Sequence, residues 1–181
     1  MNLSIIEANV SHIAAIATIG KQSFYKAFAH LFNNKEELLE YLEFTYSHSK
    51  LSRSIKKGNN VYFLALLDGQ PVGFAKVKIN SLNENIETVA QMEFQKIYVL
   101  PDHQDNGVGT VLLKEVKKMA KEISPDYIWL DTYINNEKAI RFYERNGFNK
   151  VGKQYFTIGS QTFDYYVMGM PVAFKVASGC K

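Results

Sequence analysis

Two short motifs in the second half of the chain contain the residues best suited to chemistry. The first, residues 104–110, has glycines at 107 and 109 between a strand pattern and an apolar-striped helix pattern. A turn of this kind presents unpaired backbone N–H groups at a helix start, where the helix dipole favours a phosphate anion. The second motif, residues 136–148, contains the phenol of Tyr143. Together the motifs predict a backbone cradle for a diphosphate with a phenol beside it.

Two better-known kinds of phosphate-binding glycine loop do not fit residues 104–110. A dinucleotide-binding fingerprint would need glycine at position 112, where the chain has Leu112. A Walker loop would need lysine and then serine or threonine after its last glycine, but Thr110 and Val111 follow Gly109. The loop is therefore either an anion cradle of another kind or an ordinary strand–helix turn with two glycines.

The second motif also has a purely structural interpretation. Taken alone, Ala139, Phe142 and Phe148 are typical of core positions. Tyr143 is typical of a half-buried aromatic side chain, and Asn136 is typical of a helix N-cap. The second motif alone therefore does not identify a function.

The hydrophobic pattern predicts the elements that position these motifs. An early strand is followed by two or three helices, three strands, a helix, a strand, a helix and two closing strands. Ser11 is a candidate cap of the first helix, a long strand is expected over 88–100, and Gly147 ends the helix of the second motif. The fold class is therefore α/β or α+β, with a mixed sheet of about six to seven strands flanked by helices.

Composition and charge argue against several classes of protein. The 181 residues are 46% hydrophobic and 22% charged, and we expect one domain over 1–172 with a loose tail at 173–181. A net charge of +3 without long basic runs is too small to indicate nucleic acid binding. One cysteine, four histidines without ligand spacing, and no signal-peptide or membrane-length apolar run favour a cytoplasmic protein without a disulfide or a metal.

The two motifs, in this order, resemble those of the GNAT superfamily of acyl-CoA-dependent N-acetyltransferases. Residues 104–109 match Gln/Arg-x-x-Gly-x-Gly/Ala after a long strand, and residues 136–148 match Asn-x-x-Ala-x-x-x-Tyr-x-x-x-Gly-Phe without a departure. The resemblance extends from the first strand to the final hairpin. The aromatic stretch 24–32 and the hairpin segment 155–164 are most similar to PaiA-type spermine/spermidine N-acetyltransferases.

The resemblance implies acetyl-CoA as the cofactor and suggests which residues bind it. The backbone of a splayed strand would hold the pantetheine arm, the glycine loop would hold the pyrophosphate, and residues of the second motif would complete the site. The cofactor-binding residues implied in this way are Ile97, Tyr98, Val99, Gln104, Asp105, Asn106, Gly107, Val108, Gly109, Thr110, Asn136, Ala139 and Tyr143.

The resemblance also implies two proton-transfer roles. Tyr143 corresponds to the phenol that would act as general acid at the sulfur. Glu93 corresponds to a strand carboxylate that would act as general base, directly or through water. The alternative for Glu93 is a solvent-facing carboxylate without a catalytic role.

The implied acceptor is a small-molecule primary amine, with a polyamine such as spermidine or spermine as the expectation. Phe24, Tyr25 and Tyr155 would line its groove, and the protein would be a monomer or a homodimer. A polyamine also needs carboxylates, and the sequence leaves open which of these face the groove: Glu36, Glu37, Glu40, Glu84, Glu87, Asp131 or Asp164.

Other functions remain to be distinguished. A protein N-terminus or a small amine drug would be an acceptor of the same chemical class. A non-catalytic coenzyme A-binding sensor is an alternative of another class, and the presence of Tyr143 and Glu93 argues against it. A nucleotide-binding module is disfavoured because no Lys-Ser/Thr pair follows the glycine loop.

Overall fold

The segments with helical and with alternating hydrophobic spacing form helices and strands, respectively. The strands form a mixed sheet, and helices cover both of its faces. The structure, a computed structural model, describes residues 2–172, so the tail expected at 173–181 lies outside the described residues. The elements are β1 (Leu3–Glu7), α1 (Ile13–Phe28), α2 (Lys35–Thr45), α3 (His48–Ile55), β2 (Asn60–Leu67), β3 (Gln70–Ile79), β4 (Gln91–Val99), α4 (Val108–Ile123), β5 (Tyr127–Tyr133), α5 (Glu137–Arg145), β6 (Asn149–Ile158) and β7 (Gln161–Pro171).

The seven strands are arranged in the order β1-β2-β3-β4-β5-β7-β6. All neighbouring strands are antiparallel except β4 and β5, which are parallel. The predicted α/β class with a mixed sheet is therefore confirmed. A parallel pair in the middle of a sheet requires a crossover connection, which α4 supplies.

Each face of the sheet has its own hydrophobic core. On one face, which we call the α4 face, residues such as Leu112, Ile140 and Phe94 pack together. On the other, which we call the α1 face, helices α1, α2 and α3 cover the sheet through residues such as Ile16 and Leu38. The α4 face therefore has the helices of the two motifs, and the α1 face has the three helices from the first part of the chain.

Two element starts differ from those expected from the sequence. Asn9, rather than Ser11, caps the turn before α1, because its side chain accepts hydrogen bonds from the Ser11 backbone and hydroxyl. Strand β4 begins at Gln91 rather than at 88, because the Gln91 amide bonds the preceding loop through Ile86 O at 3.0 Å.

The tip of the β6–β7 hairpin is tied to the start of α2 by hydrogen bonds that we call the hairpin clasp. Glu37 Oε2 accepts from the Ser160 backbone N–H at 2.7 Å and from the Ser160 hydroxyl at 2.9 Å. Gln161 Nε2 donates to Leu31 O at 2.6 Å. The clasp therefore connects the two parts of the chain that flank one end of the α1 face. Within residues 2–172, no helix has both the length and the apolarity needed to cross a membrane.

Candidate active site

Strands β4 and β5 separate in the middle of the sheet and form an opening that we call the fork. Their parallel pairing covers only Gln91 to Glu93 on β4, and Glu93 lies opposite Trp129. Beyond that point the β3–β4 register shifts, so Gln95 forms a β-bulge on β4. The backbone of 97–99 then pairs with β3 alone. At Ile97 and Tyr98, the side that faces the fork pairs with no strand of the described residues and could accommodate an extended ligand.

The glycine loop follows the end of β4, next to the fork, and leads into α4. Gly107 has φ +77°, a left-handed conformation that favours glycine, and Val108 begins the helix. A Cβ added at Gly109 would meet no protein atom closer than 3.8 Å, so packing alone does not require glycine there. Because the first-turn N–H groups of a helix lack helical partners, this open cradle fits a phosphate-bearing cofactor.

Residues around the cradle are fixed by contacts that the sequence did not reveal. Gln104 Nε2 donates to Val99 O at 3.3 Å, and the Ser23 hydroxyl from α1 donates to the same oxygen at 3.0 Å. The Val99 carbonyl is therefore already bonded. Asp105, with φ +65°, forms an exposed ion pair with Lys138 of α5 at 2.9 Å, so the loop and the second motif are directly connected. Asn106 is exposed.

Asn136 is the N-cap of α5, as its position in the second motif predicted. Its Oδ1 accepts a hydrogen bond from the Ala139 backbone N–H at 3.2 Å, which is the N-cap interaction of α5. This bond uses the oxygen of the side-chain amide and leaves the NH₂ group oriented by the cap. A ligand can therefore be bound by that NH₂ group without loss of the helix start.

Tyr143 lies beside the fork on the α4 face. Its side chain is 7% exposed, and its ring contacts Phe94 edge-on with ring centres 6.4 Å apart. Phe94 directly precedes the bulge at Gln95, so the phenol is close to the point where β4 and β5 separate. Burial raises the pKa of Tyr143, and the hydroxyl therefore keeps its proton across the physiological range.

Glu93 lies on the α1 face, opposite Tyr143 with respect to the sheet. It is buried rather than solvent-facing. Its Oε2 accepts a hydrogen bond from the Ser81 hydroxyl at 2.7 Å, and Lys78 Nζ is 3.9 Å from the same oxygen. The Glu93 carboxylate is therefore fixed in position by a hydrogen bond from one neighbour and by the nearby ammonium group of another.

Asp131, on β5, is one of the seven acidic residues among which the sequence alone could not identify the carboxylates that face the acceptor. It follows Trp129 by two positions and therefore shares the α1 face with Glu93. Its Oδ1 is buried without a hydrogen-bond partner within residues 2–172. Burial, and then the charge of Glu93, raise the pKa of Asp131 to about 7, against a small lowering by Gln154. The signal available in the sequence was a lone carboxylate within the otherwise apolar and aromatic strand pattern of β5.

The three residues expected to line the acceptor groove are not brought together. Phe24 lines a small aromatic cavity on the α1 face with Phe28, Phe163 and Tyr165, among others. Tyr25 is exposed and is not part of the lining of that cavity. Tyr155 is 72% exposed and pairs with Asp164, which alternates with Phe163 and Tyr165 along β7, so its side chain lies on the other face.

Comparisons with known proteins agree with this geometry. The family model for the acetyltransferase (GNAT) family matches residues 22–148. An uncharacterised N-acetyltransferase of Lactobacillus delbrueckii subsp. lactis is 23% identical over 158 residues, which are 87% of this chain and 90% of that protein. An N-alpha-acetyltransferase of Sulfurisphaera tokodaii is 29% identical over 125 residues, 65% of this chain and 73% of that protein.

The fold is also found in solved structures. The PaiA N-acetyltransferase of Thermoplasma acidophilum, crystallised with coenzyme A, has a TM-score of 0.77 and 20% identity, covering 94% of this chain and 99% of that one. The family match spans the fork, the glycine loop and Tyr143. The chain therefore belongs to the GNAT family and is an acetyl-CoA-dependent N-acetyltransferase.

Proposed function

We propose that this enzyme transfers the acetyl group directly to a primary amine that enters from the α1 face of the sheet. The observation that carries this proposal is Asp131, a carboxylate at the fork whose pKa is near neutrality and whose buried Oδ1 has no partner in the described part of the chain. An acceptor on that face would meet the base, whereas the cradle for the cofactor lies at the start of α4. Bound acetyl-CoA supplies the acetyl group as an activated thioester.

The proposed base removes the proton that prevents the amine from attacking. A primary amine has a pKa of about 10 and is mostly ammonium at neutral pH. Asp131 Oδ1 is free to accept that proton, while Glu93 already accepts a bond from Ser81 and lies near Lys78. We therefore assign the base role to Asp131, and the role of raising its pKa to Glu93, which the resemblance had suggested as the base.

The proposed acid is Tyr143, which keeps its proton because burial raises its pKa. Its position on the α4 face, against Phe94, places a neutral O–H donor on the opposite side of the fork from Asp131. Proton acceptance and proton donation would therefore occur on opposite sides of the sheet. Backbone N–H groups in 97–99 are candidates to polarise the thioester carbonyl.

Three classes of amine are candidate acceptors. A polyamine such as spermidine or spermine requires carboxylates near the groove, and Glu93 and Asp131 supply two. Protein N-termini are suggested by the relative from Sulfurisphaera tokodaii, which is named an N-alpha-acetyltransferase. Small amines are suggested by a Streptomyces lavendulae relative, named a streptothricin acetyltransferase, that is 32% identical over 81 residues, 45% of this chain and 40% of that protein.

The test is thiol release from acetyl-CoA by the purified protein, measured with spermidine, spermine, simple alkylamines and peptides with free N-termini. We expect amine-dependent release, with the acetylated product identified by mass spectrometry. Acetyl-CoA binding without turnover of any amine would overturn the proposal and favour a coenzyme A-binding sensor. Binding can be measured separately by calorimetry, so loss of folding and loss of catalysis are distinguishable.

A further inference from the structure

The β-bulge on β4 places a lysine on the same face as the candidate base. Lys78 is opposite Glu93 and Lys76 is opposite Lys96 in the β3–β4 register. Because Lys76 and Lys78 are two positions apart on one strand, their side chains share a face, and so do those of Glu93 and Lys96. In a regular strand, positions 93 and 96 would lie on opposite faces, and it is the bulge at Gln95 that puts Glu93 and Lys96 on the same face.

The result is a like-charged pair of lysines directly opposite each other on the α1 face. Such a pair destabilises a sheet unless something compensates it. Lys76 is 9% exposed, and burial is the main reason why the pKa of both Lys76 and Lys96 falls to about 8. Both side chains remain largely cationic at neutral pH. They are therefore two ammonium groups held where water solvates them poorly.

The carboxylates on this face do not balance the lysines. Glu93 is already bonded by Ser81 and lies 3.9 Å from Lys78, and its charge faces both Lys76 and Lys96. Lys50 adds a further positive charge near Lys96, and Lys57 and Lys78 add theirs near Lys76. The face thus has an excess of cations beside the two carboxylates Glu93 and Asp131.

A buried phenol lies near the lysines. Lys96 Nζ lies 5.8 Å from the centre of the Tyr46 ring, and Tyr46 is 2% exposed. Within residues 2–172 no group meets the Tyr46 hydroxyl at full hydrogen-bonding geometry, and the Tyr98 phenol is its polar neighbour. Lys78 is 40% exposed in its side chain, so the cluster opens to solvent along its β3 side. Excess ammonium groups beside a buried phenol, at a site open to solvent, are what an anion would complete.

We propose that the amine acceptor also carries a carboxylate, which Lys76 and Lys96 bind while Asp131 faces its amino group. This inference rests on the proposed acetyl transfer and specifies its acceptor as a small aminocarboxylate rather than a polyamine. Polyamines would bring a second ammonium group to a face that already has a cationic excess. The reaction is unchanged: the bond from the acetyl carbon to sulfur breaks, a bond from that carbon to the amine nitrogen forms, Asp131 takes the amine proton, and the coenzyme leaves as its thiol with a proton from Tyr143.

The test compares amines that match in length and differ only in the group at the far end. One set is γ-aminobutyrate, n-butylamine and putrescine, and another is δ-aminovalerate, n-pentylamine and cadaverine. We expect kcat/KM to be highest for the aminocarboxylate of at least one set and lowest for the diamine. Equal values for aminocarboxylate and alkylamine in both sets, the highest value for a diamine, or turnover of peptides alone would overturn the inference. If no amine is acetylated, it is the proposed acetyl transfer that fails.

Variants of Lys96 separate binding of the carboxylate from general loss of activity. Lys96→Met should lower the ratio of kcat/KM for the aminocarboxylate to that for the alkylamine by about tenfold or more, the size expected for losing a bond to a charged group. Lys96→Arg should preserve most of the ratio. The matched control is Lys121→Met, which removes an exposed lysine on α4. An unchanged ratio in Lys96→Met would refute the assignment, and a change in KM rather than kcat would support it.

Discussion

Asp131 and Glu93 show how two carboxylates on adjacent strands of one sheet can acquire different chemistry. Glu93 has a hydroxyl donor and a nearby ammonium group, whereas Asp131 has a raised pKa and a buried oxygen that has no partner among residues 2–172. A pair of titratable groups whose environments separate their pKa values is a common way to assign acid and base roles. The difference depends on their neighbours and not on residue type.

The base assignment predicts the pH profile. The wild-type kcat/KM should rise with pH through about 7, because Asp131 must lose its proton before it can accept one from the amine. Asp131→Asn should lower kcat by about 100-fold or more and remove that inflection. Glu93→Gln should shift the inflection to lower pH, because the charge of Glu93 raises the pKa of Asp131. An unaltered profile in Asp131→Asn would contradict the assignment.

The same shift has a consequence for stability. The pKa of Asp131 is raised on folding. Its contribution to the free energy of unfolding is therefore fully present below the pKa of the unfolded carboxyl, about 4, and is lost as pH rises through about 7. Asp131→Asn removes this loss of stability at high pH. We therefore expect the variant to gain more in Tm over wild type at pH 8 than at pH 5, measured by calorimetry. Asp126→Asn is a control at another carboxylate of the chain.

Tyr143→Phe tests the acid. The variant keeps the ring that packs on Phe94 and Phe148, so the fold and the affinity for acetyl-CoA should change little. Loss of the O–H donor should lower kcat by about 100-fold. Rapid-quench measurement of the acetyl-transfer step, beside calorimetric binding of coenzyme A, distinguishes the two effects. A kcat equal to that of wild type would remove Tyr143 from the proton-transfer role.

At the scale of elements, the hairpin clasp predicts coupling between α2 and the aromatic cavity of the α1 face, whose lining includes Tyr165 beside Asp131. Glu37→Ala removes the acceptor of both Ser160 bonds, and we expect a higher KM for the amine with a KM for acetyl-CoA close to that of wild type. Glu36→Ala is the matched control, since Glu36 lies in the same first turn and is exposed. Equal effects of the two substitutions would indicate that only the helix start is affected.

The elements themselves were largely predictable from the sequence, and the reason is periodicity. Alternating and helical spacing are properties of neighbouring residues, so the strand and helix order and the glycine start of α4 could be derived locally. The bulge at Gln95 could not, because it depends on register with β3. Residues whose face depends on it, such as Lys96, were therefore assigned no role. Asp131 was not singled out for a related reason, since its burial and its neighbour Glu93 are non-local.

For the whole molecule, the proposed arrangement puts the two ligands on opposite sides of the sheet. The cradle belongs to the helix that packs on the α4 face, whereas the aromatic cavity and Asp131 lie on the α1 face. The central fork, where β4 and β5 separate after Glu93, is the place where the two sides meet. A single sheet with an opening between two strands could therefore bring acetyl-CoA and the amine together even though they bind in different pockets.

This separation has a consequence for the kinetics, because each ligand could bind or dissociate while the other is bound. In the proposed arrangement the acetylated amine would depart on the α1 side while coenzyme A still occupies the cradle. We expect the acetylated product to inhibit competitively against the amine and non-competitively against acetyl-CoA, and coenzyme A to compete with acetyl-CoA alone. Initial-rate product-inhibition patterns test this, and competition of the acetylated product with acetyl-CoA would show that the two routes overlap.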